Sequence, residues 1–227
     1  MKDKEYQTVS TERYFKEVAK SYDSFYTNTS SIAENEHVKR LIRKEIQPSE
    51  RDVIVDLGCG TGLFNDLFPN FRNVFGVDIS KEMLEVAKQK HPECLFFRQD
   101  MINTSFPSDY ADTVVSLFGS MSYVMEPLQD IFNGMHRILR PEGWFFVMLF
   151  NRHSFRNMCH GFPSIRNYSM RHSNGYKYNT LAKFYTPQDI HEATDGLFDF
   201  VKVVRFSHNK LTRIMPHHLA VTGVKGG

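Results

Sequence analysis

Eight residues, VDLGCGTG at positions 55–62, constrain this chain more than any other stretch. Gly58, Gly60 and Gly62 fall within five residues, directly after the apolar run Val53, Ile54 and Val55. An apolar run that ends in glycines and leads into a helical pattern reads as a buried strand turning tightly into a helix N-terminus. Glycine tolerates positive φ and lets a ligand approach bare backbone. The helix start adds N–H groups that have no partner within the helix. The chain is therefore expected to be organised around a ligand held at this turn.

The rest of the sequence supports a sheet carrying that turn. Tyr14, Phe15, Val18, Ala19, Tyr22 and Phe25 recur at helical spacing and predict an amphipathic helix over residues 11–27, with a second helix over 32–46 stopped by Pro48. Strands are then expected at 53–57, 73–78, 94–98, 112–117 and 144–150, alternating with helices at 63–68, 80–90 and 127–139. Such alternation argues a parallel, doubly wound sheet with helices on both faces. The runs VVSL and WFFVMLF are apolar throughout, as buried parallel strands should be. Residues 139–143, LRPEG, read as a turn into the fifth strand. A helix at 186–195 and strands at 200–207 and 219–224 close the chain, the last pair as an antiparallel, hairpin-like edge. The expected organisation is one domain in four parts: a helical cap (1–50), a ligand-binding core (51–150), a lid insertion (151–185), and a final helix with edge strands (186–227).

Composition narrows the setting. A hydrophobic share of 41% beside a charged share of 24% is that of a globular domain, and no run of about 18 apolar residues exists to span a membrane. The first residues, MKDKEYQTVSTERYF, contain no apolar signal-peptide core. Cys59, Cys94 and Cys159 form no CxxC pair, so neither a zinc site nor a disulfide framework is expected, and a reduced cytoplasmic setting fits. The net charge of +2 hides an asymmetry. Residues 1–142 carry 17 basic and 22 acidic side chains, residues 143–227 carry 11 and 4, and no acid occurs between Glu142 and Asp189. A basic second half suits an anionic partner or a solvated face.

Three ligands compete for the glycine turn. An ATP-binding loop needs GxxxxGK[ST], and Leu63 stands after Gly62 where Lys is required. A dinucleotide loop needs GxGxxG, and here the third glycine comes one residue early, with the carboxylate of Asp56 two residues before Gly58. The pattern as a whole resembles the class I S-adenosylmethionine-dependent methyltransferases. The matching residues are VDLGCGTG, GVDIS at 76–80 followed by Met83, QDM at 99–101, the strand VVSLFGSMSYV, and LRPEGWFFV at 139–147. YDSFY at 22–26 also resembles an N-terminal segment of many members.

That resemblance implies a Rossmann-like, seven-stranded, mostly parallel sheet with its last strand antiparallel. It also implies a cofactor site. Asp56 would accept from the amino group of S-adenosylmethionine, and the backbone of Gly58, Cys59 and Gly60 would pass its amino-acid part. Asp78 would take both ribose hydroxyls, having two acceptor oxygens. Ile79 and Met83 would cover the adenine, and Asp100 and Met101 would read its edge. Leu117 and Phe118 would floor the sulfonium region, and Tyr14 or Tyr22 would fold over the carboxylate end.

Methyl transfer is an in-line displacement in which the protein supplies proximity and orientation. No metal is expected. The segment after the fourth strand, LFGSMSYV, departs from the NPPY-like signature of DNA amine methylases and is similar to small-molecule members, which points Tyr123 at the acceptor. Histidine titrates near neutral pH, so the candidate bases are His153, just past the fifth strand, and after it His160 in the insertion and His217 and His218 before the last strand. The insertion carries Arg152, Arg156, Arg166, Arg171, Lys177 and Lys183 among Phe155, Phe162, Tyr168, Tyr176 and Tyr178, as a lid for an anionic or aromatic small molecule would. A tRNA or rRNA methyltransferase and a catalytically silent cofactor-binding protein are the alternatives. The near-neutral total charge speaks against nucleic acid. Oligomeric state is not legible in the sequence.

Overall fold

The structure is a computed structural model and describes residues 11–171, 177–206 and 215–227. Its strands are β1 (Ile54–Leu57), β2 (Val74–Asp78), β3 (Leu95–Arg98), β4 (Ala111–Ser116), β5 (Leu139–Phe150), β6 (Ile165–Arg171), β7 (Lys177–Lys183), β8 (Phe200–Phe206) and β9 (His218–Val224). Seven of them form one sheet in the order β3-β2-β1-β4-β5-β9-β8, and β6 and β7 pair apart from it. The pairings from β3 through β5 are parallel, whereas β9 runs antiparallel to both β5 and β8. The last strand thus inserts between its predecessor and the parallel sheet, and β8 rather than β9 forms the edge. The chain reverses direction of travel across the sheet between β1 and β4, where open α/β sheets leave a crevice at their carboxyl ends.

Helices cover both faces. On one, Ile131, Phe132 and Met135 of α4 (Leu128–Ile138) and Ile190 of α5 (Pro187–Thr194) pack on Val55, Val114, Phe145 and Val147. On the other, Val38 and Ile42 of α1 (Thr29–Glu45) join Phe64 and Leu67 of α2 (Leu63–Leu67) against Ile54, Val115 and Phe146. Strand residues facing either way are buried, which is why these segments are apolar without alternation. α3 (Lys81–Lys90) is capped by Ser80, whose hydroxyl accepts from Met83 N, and α5 by a reciprocal capping box between Thr186 and Asp189.

Three segments differ from the expectation. The N-terminal helix is α-helical over residues 11–18 and then tightens into a 3-10 helix, Ala19–Tyr26. Hydroxyls drive the change: Ser21 donates to Val18 O, Ser24 to Ser21 O and Thr27 to Ser24 O, each competing at carbonyls that α-helical bonds would use. The LRPEG segment belongs to β5, joined through a register shift opposite Ala111 and Thr113 with Glu142 at φ 62°. The insertion has secondary structure of its own, the antiparallel β6–β7 pair.

Candidate active site

The glycine turn folds as its residues dictate. Gly58, Gly60 and Gly62 sit at φ 78°, 55° and 83°. The N–H groups of Gly58 and Cys59 both donate to Val77 O, at 2.7 and 2.9 Å, which pins the turn to the end of β2. A Cβ on Gly58 would lie 2.6 Å from the Cβ of Ser120, so backbone and neighbour approach too closely for any side chain. Ser120 closes that contact by donating to Gly58 O at 3.0 Å and to Leu117 O at 2.9 Å.

Two carboxylates stand at this edge. Asp78, at the end of β2, accepts from Gly60 N through Oδ2 and from Ser80 N through Oδ1, each at 2.9 Å. Burial raises its pKa, and the N–H donors of Ser80, Gly60 and Ile79 pull back against that rise. Asp56, in β1, is 2% exposed, and its Oδ1 has no hydrogen-bond partner. Burial, then the nearby charge of Asp78, pushes its pKa up to about 8. Buried polar atoms are almost always paired. An acid left unpaired beneath a glycine turn fits a cationic donor arriving from above, such as an amine. Asp78 keeps lone pairs for two further donors, as a diol would offer.

Above the turn lies a cavity of about 840 Å³, part of it open to solvent. Of the residues expected at the site, Tyr22, Gly58, Gly60, Asp78, Ile79, Met83, Asp100, Met101, Phe118 and Tyr123 line it. Asp56 and Cys59 lie beneath it, and Cys59 packs with Leu84, Ala87, Cys94 and Phe96. Leu117 turns into the core beside Ile54 and Phe146, because it continues the strand alternation that sends Phe118 to the cavity. Tyr14 is buried against Met83 and Val18 on the inner face of its helix. His153 is exposed, its ring edge-on to Phe162, and lies away from the cavity, because the chain turns outward after Asn151. Asp100 accepts from Ile102 N at 3.1 Å, and Gln99 clamps the same loop through two bonds to Ser105.

Residues that sequence reasoning did not single out complete the walls: Thr11, Phe15, Gln99, Ser120, Val124, Met125 and Glu126. Phe15 and Ser120 carried a signal, the first through its helical spacing and the second through its place after two strand-end residues. Tyr123 stands edge-on to Phe15 and to Phe150, with ring centroids 5.3 and 5.5 Å apart. Its hydroxyl has no hydrogen-bond partner among the described residues, and burial holds it well above the ordinary tyrosine range. Tyr22 and Tyr26 share a hydrogen bond of 3.0 Å, and Tyr26 packs on Phe118. The segment bearing these rings is tied across the site. Thr61 donates to Asp23 at 2.5 Å, Lys90 Nζ bridges Asp23 and Asp66 at 2.8 and 2.7 Å, and Arg98 meets Glu12 at 2.7 Å. The N-terminal segment therefore roofs the cavity. Among the described residues, no group of three or more His, Cys, Asp or Glu could hold a metal ion, and no helix is long and apolar enough to cross a membrane.

Comparison with known proteins agrees with this geometry. Residues 54–143 match the family model described as a methyltransferase domain. An uncharacterized protein of Methanocaldococcus jannaschii is 27% identical over 208 residues, covering 82% of this chain and 75% of that one. Relatives from Bacillus subtilis and Oceanobacillus iheyensis are spanned over 47% and 62% of their length. Among solved structures, a SAM-dependent methyltransferase of Thermotoga maritima shares the fold at a TM-score of 0.66 and 18% identity, over 94% of this chain and 99% of that one. DhpI, solved with SAH, shares it at 0.67 and 17%, over 96% and 97%. The domain match begins at β1 and takes in the glycine turn, Asp56 and Asp78, so residues 54–143 form a methyltransferase domain on the fold shared with S-adenosylmethionine-dependent methyltransferases.

Proposed function

We propose that this chain methylates nitrogen or oxygen of a small molecule, anionic or aromatic, held between the cofactor and Tyr123. One observation carries the reading. The cavity is closed on one side by residues 11–26: Thr11, Phe15 and Tyr22 line it, and Phe15 packs edge-on against Tyr123. A pocket roofed in this way suits an acceptor of a few rings or fewer better than a folded polymer.

When bound, the cofactor supplies a methyl group on a sulfonium. The chain supplies the rest. Asp56 would receive the amino group, with the backbone of Gly58 to Gly60 passing beside the amino-acid part. Asp78 would receive the ribose diol while its bonds to Gly60 and Ser80 keep the carboxylate in place. Ile79, Met83 and Met101 would cover the adenine, and Asp100 would accept from its amine. Phe118 and Tyr22 would face the sulfonium, where electron-rich ring faces favour a cation. Tyr123, with an unpaired hydroxyl, would orient the acceptor. His153 has no part in this arrangement, because its exposed ring is remote from the cavity.

The test is a screen of amine, phenol, hydroxy-acid and amino-sugar acceptors with labelled cofactor, read as transfer of label and a mass gain of one methylene unit. Y123F should lower kcat while leaving SAH affinity unchanged. Methylation of bulk RNA with strong salt dependence, and of no small acceptor, would defeat the proposal.

A further inference from the structure

A second cavity of about 870 Å³, also partly open to solvent, lies behind the aromatic wall of the first. We infer that it binds an oxyanion, a carboxylate or phosphate, at the far end of the methyl acceptor. The inference rests on the small-molecule reading above and names the acceptor's second functional group.

The residues are drawn from three segments: Ser30, Ser31 and Glu34 at the start of α1, Ser154 and Arg156 after β5, and His217 and His218 where β9 begins. Ser154 is 0% exposed, yet its hydroxyl has no hydrogen-bond partner. Nδ1 of His217 is likewise buried and unpartnered. Such groups are normally satisfied, so two of them facing one cavity indicate a polar ligand. The first turn of a 17-residue helix forms a wall, and a helix N-terminus favours negative charge. Arg156 lines the cavity and spends Nη1 on Tyr168 Oη at 2.9 Å, which anchors the guanidinium there.

The charged and titratable groups lining the cavity are Arg156, Glu34, His217 and His218, with Arg166 behind them. Glu34 lies 3.3 Å from His218 Nδ1, a pair that is ionic only when His218 is protonated. His217 is held well below its ordinary pKa chiefly by burial, and then by His218, Arg156 and Arg166. A neutral His217 Nε2 is 3.1 Å from Tyr168 Oη.

Tyr168 also joins this cavity to the first. Its ring stands edge-on to that of Tyr123, with centroids 6.1 Å apart. The two spaces are thus separated by about one aromatic ring. For one acceptor to hold its nucleophile at Tyr123 and its anionic end beside Ser154 and Arg156, the Tyr168 ring must swing aside. The basic bias of the chain's second half, which the cofactor site does not use, then has a local purpose.

The experiment titrates the SAH-loaded protein with inorganic phosphate, and separately with acetate, followed by calorimetry and by phosphorus NMR. Saturable binding is expected, with SAH affinity unchanged. R156M should weaken it about tenfold and S154A about threefold, the loss of a hydrogen bond to a charged group and of a weaker one, while R156K retains most of it. Thermal melts and SAH affinity of each variant report folding. No saturable binding at millimolar concentration, binding that displaces SAH, or an unchanged affinity in R156M would each overturn the inference. With an acceptor identified, phosphate should raise its KM and leave that of the cofactor alone; the reverse also overturns it. Failure of SAH itself to bind would instead sink the cofactor assignment on which both readings stand.

Discussion

Asp56 gives the sharpest quantitative test of the cofactor site. Its pKa of about 8, against 3.8 for an ordinary aspartate, arises from burial and from Asp78. At pH 7 such a group is about 90% protonated in the free protein. An incoming ammonium needs it ionised, so binding should release about 0.9 proton from Asp56, offset by about 0.1–0.2 taken up by the ligand's own α-amino group. Calorimetric titration of SAH in buffers of low and high ionisation enthalpy reads the net number directly. The wild type should show net release of about 0.7–0.8 proton at pH 7, passing through zero near pH 8 and turning into net uptake of about 0.8 proton by pH 9, where the ligand's amine must be protonated. D56N should show no release and only the amine's uptake, about 0.1–0.2 proton at pH 7. Asp78 also has a raised pKa, but its two backbone donors are in place before the ligand arrives, so the difference between wild type and D56N isolates Asp56. Equal proton counts for the two proteins would refute the pairing of Asp56 with the amine.

The same group sets a stability profile for the free protein. Its folded pKa lies above its unfolded one, so the fold favours the protonated form. The associated stability is full below about pH 3.8, falls as pH rises toward 8, and is flat beyond. A gap of about four units corresponds to on the order of 5 kcal/mol across that range. With Asp56 only 2% exposed, solvent screens little of this. D56N should flatten the slope of Tm against pH and raise Tm near pH 8, while losing SAH affinity. Saturating SAH should stabilise the wild type most where D56N alone does.

Three further outcomes follow from the same geometry. D78N should weaken SAH by about a hundredfold or more, through loss of charge-assisted bonds worth about 1.5–3 kcal/mol each, measured by calorimetry. G58A should abolish SAH binding and lower Tm, since φ of 78° disfavours any side chain and the new Cβ meets Ser120 at 2.6 Å; a G58A/S120G double variant relieves the clash but not the φ strain, so full rescue would refute the backbone argument. K90M cuts the ties to Asp23 and Asp66, which are partly exposed, so Tm should drop by only about 2–4 °C while limited proteolysis near residues 11–26 quickens and SAH binds more weakly.

The cofactor half of the site was legible because a parallel sheet makes it local. Each β-strand followed by a crossover helix returns the chain to the same edge, so Asp56, Asp78, Asp100 and Phe118 meet in space although each belongs to its own short motif. The physics of each motif acts within a few residues: a turn that excludes Cβ, a carboxylate at a strand end, a helix cap at Ser80. The misreadings fall where the determining contacts are of another kind. Serine and threonine hydroxyls at Ser21, Ser24 and Thr27 convert the expected α-helix into a 3-10 helix, although the apolar spacing is unchanged. In β6, IRNYSMR, Tyr168 is buried while Ile165 is exposed, so hydrophobicity alternates against neither face consistently and the strand leaves no period-two pattern.

The acceptor half has no such local code. Tyr123 comes from the turn after β4, Ser154 and Arg156 from the segment after β5, Tyr168 from the small β-pair, His217 from the lead into β9, and Ser30 and Ser31 from α1. Phe150, at the end of β5, is the hub: Tyr168, Phe184 and His217 all stack on its ring with centroids between 4.8 and 5.5 Å. That hub exists only because β9 inserts beside β5 and sets His218 opposite Phe150, a long-range pairing that no adjacent residues announce. His153 illustrates the consequence. It stands just past a strand end, the position that gives the cofactor acids their role, yet the chain there turns outward and a histidine from β9's approach takes the interior place. In this fold a strand-end position carries information about the site as far as the parallel pairing extends. Beyond β5 the sheet is antiparallel, and the residues around the proposed acceptor site are brought together by tertiary packing.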